Sequence, residues 1–334
     1  MRQQFVIAGI SCLDYLDLYR KFTYTQQPNY RLDTIAQAEL GEGKTHFEGT
    51  LDELYQNDLK TYVEYNSNDA RLVSKLDKKL KLIELVRGIC SIGHVPYEDY
   101  GFSSRWLEGA LITDLHRKGI IAPNKAADAK QQMDNREETG EEGFSGAYVK
   151  APTPGLYHWV YSLDLQSLYP SIIMTLNISP ETKVGKVKNW NVEQHVRKQI
   201  AEYEVMDGGK SVNMPYDEFM AFMEEGKFHL SSNGILYRSD KQGLLAEVLD
   251  RWFKQRLDFK KKMKDAIKAN DKVNTEYWDR RQHIQKIFLN SLYGVLGLPV
   301  FRFYDVDNAL AVTATGQDVI KTSARFVNAK YAKM

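Results

Sequence analysis

The sequence predicts a multidomain α+β protein, and three observations lead to this fold class. Its 334 residues are enough for about two or three domains and a sizeable core. Strand-like and helix-like segments alternate through residues 1–81, and two long amphipathic helices occur within residues 243–298. We therefore expect sheet-containing parts together with a helical part that is separate in sequence.

Net charge says little about partners, because 45 basic residues stand against 44 acidic ones. Cys12 and Cys90 lie too far apart in sequence for a zinc-type spacing or a disulfide framework, and we expect buried, reduced thiols of an intracellular protein. No signal peptide opens the sequence, and no apolar run approaches the ~20 residues of a membrane span. We therefore expect a soluble, cytoplasmic protein.

Residues 1–81 combine a strand with several helices. An apolar run predicts a strand at 5–10, and helical periodicity predicts helices at 14–22, 32–40 and 62–80. On the third helix, Tyr65 and Asp69 are spaced at i and i+4, so a phenol and a carboxylate address the same point. Taken alone, such a pair is usually a surface contact.

A polar stretch precedes the central part of the chain. A helix is expected at 105–117, and residues 126–143 hold hardly any large apolar residue, which predicts a linker or mobile loop. Phe-Ser-Gly-Ala-Tyr-Val follows at 144–149. Its small residues, Gly146 among them, would let the backbone approach a sugar-phosphate chain beside Tyr148, although a simple turn is an equally economical interpretation.

Residues 159–176 carry the strongest chemical signal. Alternating side chains from Trp159 to Leu165 predict a strand with Asp164 near its end, and a helix is expected at 168–176. Unpaired N–H groups at the start of that helix suit phosphate oxygens. A carboxylate beside such an anion site implies a cation between them, Mg²⁺ or Mn²⁺, and hence metal-assisted phosphoryl transfer. A lone aspartate at a strand end is otherwise an ordinary turn residue.

The two long helices bring positive charge to one face. An apolar stripe along the first helix extends to Arg256 and Lys260, within a basic stretch that is otherwise typical of a solvated face. The second helix, expected at 274–295, places Lys286, Asn290 and Tyr293 on one side. An antiparallel pair would bring Arg256, Lys260 and Lys286 together as a cationic clamp, and three positive charges suit a triphosphate.

The remaining segments predict structure without chemistry. We expect helices at 192–205 and 216–228, a hairpin at 230–238, a strand at 301–304 and a helix at 308–331, with Asp307 or Asn308 as its cap.

Two motifs carry a resemblance to a known family. Residues 164–173, Asp-Leu-Gln-Ser-Leu-Tyr-Pro-Ser-Ile-Ile, resemble the first palm motif of family B DNA polymerases, and their continuation to Glu181 resembles the replicative enzymes of tailed phages. Residues 286–294, Lys-Ile-Phe-Leu-Asn-Ser-Leu-Tyr-Gly, resemble the fingers motif, and Phe253-Lys-Gln-Arg256 its companion helix. The resemblance implies a DNA-directed DNA polymerase that joins a dNTP to a primer 3′-hydroxyl across two Mg²⁺ or Mn²⁺ ions.

The resemblance also implies roles for single residues. Asp164 would be catalytic and would bind metal with the Leu165 carbonyl, and Tyr169 would stack beneath the deoxyribose and exclude a 2′-hydroxyl. Tyr65 and Asp69 resemble the third exonuclease motif, in which the aspartate binds metal and the tyrosine orients the attacking water. The dNTP would also contact Ser167, Leu168, Arg256, Lys260, Lys286 and Asn290, and the base pair or template would contact Tyr293, Gly294, Gly146 and Tyr148.

The implied fold is part of a right-hand polymerase joined to the tail of a ribonuclease H-like exonuclease domain. Its expected parts are the C-terminal part of the exonuclease domain at 1–81, a return segment of the N-terminal domain with a linker at 82–135, palm at 136–242, helical-hairpin fingers at 243–298 and further palm at 299–334. The implied partners are primer–template DNA and dNTP, with the host cytoplasm as the location if a phage encodes the protein.

Two departures from the family pattern limit the expected activity. The first two exonuclease motifs are absent, so Asp69 alone should not support 3′→5′ exonuclease activity. Asp305-Val-Asp307 opens a predicted helix, and the family's Asp-Thr-Asp motif is also absent, so one catalytic aspartate is missing. We therefore expect a fragment or one piece of a split enzyme, whose partner polypeptide carries the remaining palm, the thumb and any contact with a sliding clamp. The alternative is a noncatalytic DNA- or nucleotide-binding subunit, an inactivated polymerase relative.

Overall fold

The computed structural model describes residues 7–125, 146–158, 160, 162–207 and 209–331. The chain divides into two compact units, Met1–Phe102 and Ser103–Met334. This division lies later than the boundary expected after Lys81, and the five-part functional partition stays a prediction. None of the helices in the described ranges combines the length and apolar character that a membrane crossing requires. The linker expected at 126–143 lies outside those ranges.

The first unit is helical. Its elements are α1 (Tyr15–Phe22), α2 (Leu32–Leu40), α3 (Leu51–Asn57), α4 (Leu59–Leu80), α5 (Leu82–Gly93) and a 3₁₀ turn over Tyr97–Gly101. Helix α4 packs against α2 and α3, and α5 packs against α1. The predicted helices are confirmed, but α4 begins at Leu59 because Asp58 accepts the N–H of Thr61 and caps it.

The second unit contains one antiparallel sheet. Its strands β1 (Lys183–Val187), β2 (Glu202–Asp207), β3 (Lys210–Pro215), β4 (Phe228–Leu230) and β5 (Ile235–Arg238) lie in the order β3-β2-β1-β5-β4. The Tyr203 and Phe219 rings stack at 4.1 Å, which packs a helix over Tyr216–Glu225 against β2. The expected hairpin at 230–238 is confirmed.

Three long helices of this unit pack against a short one. In chain order they are α6 (Ser103–Arg117), α7 (Leu168–Leu176), α8 (Val192–Val196), α9 (Tyr216–Glu225), α10 (Leu244–Lys268), α11 (Lys272–Leu296) and α12 (Val306–Tyr331). Helices α10 and α11 form a long antiparallel pair, called the hairpin below, and α7 packs against α10, α11 and α12. Phe288 lies between Trp106 and Trp252 at ring distances of 4.6 and 4.9 Å, so α6 is part of the hairpin's base.

Several local predictions are wrong. The helix expected at 192–205 ends at Val196, because residues 202–207 pair with both β1 and β3. Residues 7–10, the described part of the first expected strand, form a turn with Gly9 at φ 79°. Residues 301–304 are turns as well, since Phe301 and Tyr304 make short-range backbone hydrogen bonds. Cys90 is buried as expected, but Cys12 is exposed.

Candidate functional site

Asp164 lies on an extended segment that is not a strand. A strand needs a neighbouring chain to pair its backbone groups, and residues 160 and 162–165 have no strand partner among the described residues. Their apolar side chains remain open to solvent, with Val160 80% and Leu163 72% exposed. The predicted strand is therefore wrong for the described part of this segment, whereas Trp159 and Tyr161 lie outside it. Asp164 itself is exposed.

The start of α7 presents backbone donors beside Asp164. Ser167 precedes the helix in the left-handed conformation, with φ 54° and ψ 42°, and its side chain makes no capping hydrogen bond. The first N–H groups of an α-helix have no acceptors within the helix. The positive end of α7 therefore meets the segment that carries the carboxylate, as the sequence predicted.

A cavity of about 1390 Å³ opens at this point. Asn290 of α11 lines it opposite the start of α7, and the C-terminal half of α12, including Phe326, lines the rest. The predicted site residues that meet here are Asp164, Leu165, Ser167, Leu168, Tyr169 and Asn290. Asp164 is the single acidic side chain in this lining within the described part of the chain.

Tyr169 is held between two helices. Its ring centroid lies 4.4 Å from that of Tyr293 on α11, with the planes at 48°. On the other side, a β-carbon added to Gly316 of α12 would lie 3.0 Å from Cε1 of Tyr169, so a larger residue there would press on the ring. Burial, and then the neighbouring Tyr169, raises the pKa of Tyr293 to about 12. Gly294 is exposed beside this pair.

The hairpin carries a cluster of cations at the level just beyond Asn290. Burial lowers the pKa of Lys260, and the positive charges of Arg256, Lys264 and Lys286 lower it further. These four residues, called the cation cluster below, are therefore close enough to repel one another. The expected convergence of Arg256, Lys260 and Lys286 agrees with this arrangement, and Lys264 joins them.

Gln282 connects the cation cluster to the opposite helix. Arg256 Nε donates to Gln282 Oε1 at 3.4 Å, and Gln282 Nε2 donates to Asp279 Oδ1 at 2.9 Å. The amide therefore holds the guanidinium on one side and a carboxylate on the other. The sequence-based stripe began at Lys286 and so left out Gln282, which lies one helical turn earlier on the same side of the helix and contacts Arg256 only once the two helices pair.

The base of the hairpin is fixed by a loop in which sequence reasoning found no role. Buried Asn177, at φ 58°, donates from Nδ2 to the carbonyls of Arg238 and Lys241 at 2.7 and 2.8 Å. Its Oδ1 accepts the N–H of Gly243 at 2.8 Å. Glu181 accepts the N–H of Leu244 in the same way. These side chains serve as the N-terminal cap of α10, because Gly243 at the N-cap position has no side chain to do so.

The acidic pair Asp305 and Asp307 has a structural role at the start of α12. Lys183 Nζ lies 3.1 Å from Asp305 Oδ2 and 2.8 Å from Asp307 Oδ2. Asp305 also accepts the N–H of Asn308 at 3.1 Å, so Asp305 is the cap, and the expectation of Asp307 or Asn308 is wrong. The expectation that this pair opens a helix is confirmed.

Gly146 and Tyr148 contact α12. Gln317 Nε2 donates to the Gly146 carbonyl at 2.7 Å, and Lys321 Nζ lies 5.1 Å from the centre of the Tyr148 ring. The Phe144 and Ser145 of this element lie outside the described residues. Gly146 and Tyr148 are not among the residues that line the cavity at Asp164.

Tyr65 and Asp69 meet in the first unit, where a lysine joins them. Lys44 Nζ lies 2.8 Å from Tyr65 Oη and 2.6 Å from Asp69 Oδ2, and Asp69 Oδ1 is buried without a hydrogen-bond partner. Burial alone would lower the pKa of Lys44, but its contacts with Asp69 and Tyr65 outweigh this, so its pKa is raised. Lys44 therefore stays protonated and neutralises the carboxylate. Sequence spacing did not indicate Lys44.

The described residues do not form a complete metal site. No three Asp, Glu, His or Cys side chains in the described ranges lie close enough to share an ion. Asp164 and the Leu165 carbonyl would be partial ligands for Mg²⁺ or Mn²⁺, which usually take about six oxygens. The donor set present does not fit a pair of cations.

Comparisons with a family model and with single relatives all match this chain to DNA polymerases. The family model described as DNA polymerase family B matches residues 100–334. The DNA-directed DNA polymerases of Enterobacteria phage T4 and Escherichia phage RB69 are each 28% identical over 375 residues, and the matches cover 98% of this chain. A DNA polymerase of Thermococcus gorgonarius is 28% identical over 329 residues, covering 95% of the chain. The chain spans 38% of the length of each of the two phage relatives and 36% of the archaeal one.

Proposed function

The chain belongs to DNA polymerase family B, and we propose that it provides the dNTP-binding part of a DNA-directed DNA polymerase active site. The observation that carries the proposal is the arrangement around α11. Asn290 lines the cavity that also contains Asp164 and Tyr169, and Lys286, one turn away, belongs to the cation cluster. A nucleotide whose sugar lies in the cavity can therefore extend its phosphates along the hairpin.

The cation cluster is suited to the triphosphate. Its charges repel one another in the free chain, and a bound polyanion would replace this repulsion with attraction. Arg256 offers a planar fork for two phosphate oxygens, while Lys260 and Lys286 act as point charges. The N–H groups of Leu168 and Tyr169, beside Ser167, would contact the phosphate nearest the sugar.

Tyr169 is suited to sugar selection. Its ring is fixed between Tyr293 and Gly316, so it cannot move aside to admit a 2′-hydroxyl without disturbing one of these contacts. Tyr293 and the exposed Gly294 would then lie beneath the nascent base pair. On this proposal Asn290 contacts the nucleotide from the cavity wall.

The proposed reaction is nucleotidyl transfer. A new bond forms between the primer 3′-oxygen and the α-phosphorus of the dNTP, the bond to the bridging oxygen breaks, and pyrophosphate leaves. Asp164 and Leu165 would supply part of the coordination of Mg²⁺ or Mn²⁺. Asp164 and Leu165 are only partial ligands, so on this proposal the remaining palm and thumb would complete the site, carried either by a longer form of this chain or by a partner polypeptide. A sliding clamp would bind through these parts, and the host cytoplasm stays the proposed location.

Template binding is proposed for the segment around Gly146 and Tyr148. Its contacts with Gln317 and Lys321 fix it on α12, so an exposed aromatic ring and an exposed backbone lie beside a lysine. Aromatic side chains and cations together suit a single strand of DNA.

For the first unit we propose no independent exonuclease activity. Tyr65 and Asp69 keep the spacing of the exonuclease motif, but Lys44 occupies one carboxylate oxygen, and the described part of the chain holds no cluster of three possible metal ligands. The purified chain should leave a single-stranded primer intact in Mg²⁺. Metal-dependent shortening that disappears in Asp69→Ala would contradict this.

Reconstitution tests the function. The chain is mixed with a polypeptide that carries the missing palm motif and thumb, and extension of a labelled primer–template is measured with dNTPs and Mg²⁺. Extension that Asp164→Asn abolishes supports the polymerase. DNA and nucleotide binding without extension would support the alternative, a noncatalytic binding subunit.

A further inference from the structure

His283 lies on the same side of α11 as the residues that face the nucleotide site. Residues 283, 286 and 290 are spaced at i, i+3 and i+7, which places His283, Lys286 and Asn290 on one stripe of the helix. The opposite side packs into the core, where Phe288, Leu292 and Val295 are buried. His283 is half-buried, and its imidazole therefore belongs to the stripe that begins at the cavity and continues into the cation cluster.

The charges around His283 come from both helices of the hairpin. Burial lowers the pKa of His283, Asp279 on the same helix raises it, and Lys286 and Arg256 lower it further. Arg256 belongs to α10, and it donates a hydrogen bond across the hairpin to Gln282, the residue that precedes His283 in sequence. The carboxylate of Asp279 already accepts a hydrogen bond from Gln282. The neutral imidazole of His283 is thus influenced by two cations, Lys286 and Arg256, and by one carboxylate that is already hydrogen-bonded to Gln282.

The net charge around the His283 imidazole changes from positive to negative when a polyanion binds. In the free chain, desolvation and the two cations disfavour a third positive charge. A triphosphate held by Arg256 and Lys286 would cancel both cations and add negative charge, so that protonation of the ring becomes favourable. Protonated imidazole donates from both ring nitrogens and has a charge to offer.

We propose that His283 is a further phosphate-binding residue of the hairpin, and that its imidazole takes up one proton from solvent when a triphosphate binds. The inference deepens the proposed function, on which it rests. Arg256, Lys260 and Lys286 bind the polyanion at all pH values near neutrality, and His283 adds a fourth positive donor as pH falls.

The test measures binding of inorganic tripolyphosphate to the full chain by calorimetry at pH 6.0 and pH 8.5. Because the variant loses one charge-assisted hydrogen bond, His283→Gln should bind about tenfold more weakly than the wild type at pH 6.0 and within about twofold at pH 8.5. His116→Gln, an exposed histidine of α6, is the matched control and should follow the wild type at both pH values. Because the ligand's own ionisation is common to all variants, it cancels in the comparison.

Two further measurements separate the possible failures. The imidazole C2–H resonance of His283, titrated in the wild type, should show a pKa that rises when tripolyphosphate is added, and this needs no variant that could misfold. Arg256→Ala should weaken binding at both pH values. If Arg256→Ala weakens binding but His283→Gln does not, and the resonance titrates unchanged, the inference on His283 fails alone. If the wild type does not bind, or Arg256→Ala binds as well as the wild type, the proposed function fails with it.

Discussion

Replacing Asn177 with alanine should loosen the base of the hairpin. The buried amide makes three hydrogen bonds, to the carbonyls of Arg238 and Lys241 and from the N–H of Gly243. Each should contribute about 1 kcal/mol, since water cannot readily replace the lost partner at a buried site. Alanine at φ 58° adds a further cost of about 1 kcal/mol, because the left-handed conformation suits asparagine better. We expect Asn177→Ala to lower the free energy of unfolding by about 3–4 kcal/mol.

The assay is urea or thermal unfolding of the chain, followed by circular dichroism. For a unit of this size the loss corresponds to a decrease in Tm of roughly 6–16 °C. Asn189→Ala is the matched control, because exposed Asn189 also donates to the Glu202 carbonyl and accepts the Glu204 N–H. Water can replace the hydrogen bonds of exposed Asn189, so Asn189→Ala should lower the free energy of unfolding by less than about 1 kcal/mol. Equal losses for the two variants would refute the capping of α10 by Asn177.

Three other predictions concern Tyr169 and its neighbours. In the reconstituted enzyme, Tyr169→Ala should raise ribonucleotide incorporation relative to dNTP, and an unchanged ratio in primer extension would count against sugar selection. Gly294→Ala should stabilise the chain by about 0.5–1 kcal/mol in urea unfolding, because its β-carbon would meet nothing within 4 Å. Gly316→Ala should give no such gain, since contact with Tyr169 offsets it. Tyr293 has its pKa raised to about 12, above about 10 in the unfolded chain. Its contribution to stability is therefore present below pH 10 and lost between about pH 10 and 12, and Tyr293→Phe should remove this loss.

Helical periodicity predicted most of the helices and which of their side chains share a face. The hairpin was expected from an apolar stripe that continues into Arg256 and Lys260, and α10 and α11 cover the expected positions. Residue spacing on a helix fixes which side chains share a face. This is why the sequence alone could place Lys286 and Asn290 on one side of the helix.

Strands were harder to predict because they depend on partners distant in sequence. The alternation before Asp164 is a true pattern, yet no strand in the described ranges pairs with it. Conversely, residues 202–205 were predicted as the end of a helix, but they belong to β2, which pairs with β1 on one side and β3 on the other. Local periodicity records side-chain exposure, whereas a sheet also requires a neighbour.

Residues that act across elements were missed for the same reason. Gln282, Asn177 and Lys44 are ordinary polar residues in sequence, and each gains its role from a contact with another segment. Gly316 is a further case, since the close contact that disfavours a side chain there comes from the ring of Tyr169, which is distant in sequence. Spacing alone offers no signal for such contacts.

We propose that the cavity at Asp164 and the cation cluster of the hairpin bind one nucleotide. Photo-crosslinking tests this most directly, with two dTTP derivatives that carry a reactive group either on the γ-phosphate or on the base, followed by mapping of the modified peptides. We predict that the phosphate-linked probe modifies peptides containing Arg256, Lys260 or Lys286, and that the base-linked probe modifies those containing Tyr169, Asn290 or Tyr293. Labelling confined to residues before Ser103 or to the sheet, with both probes, would contradict the account.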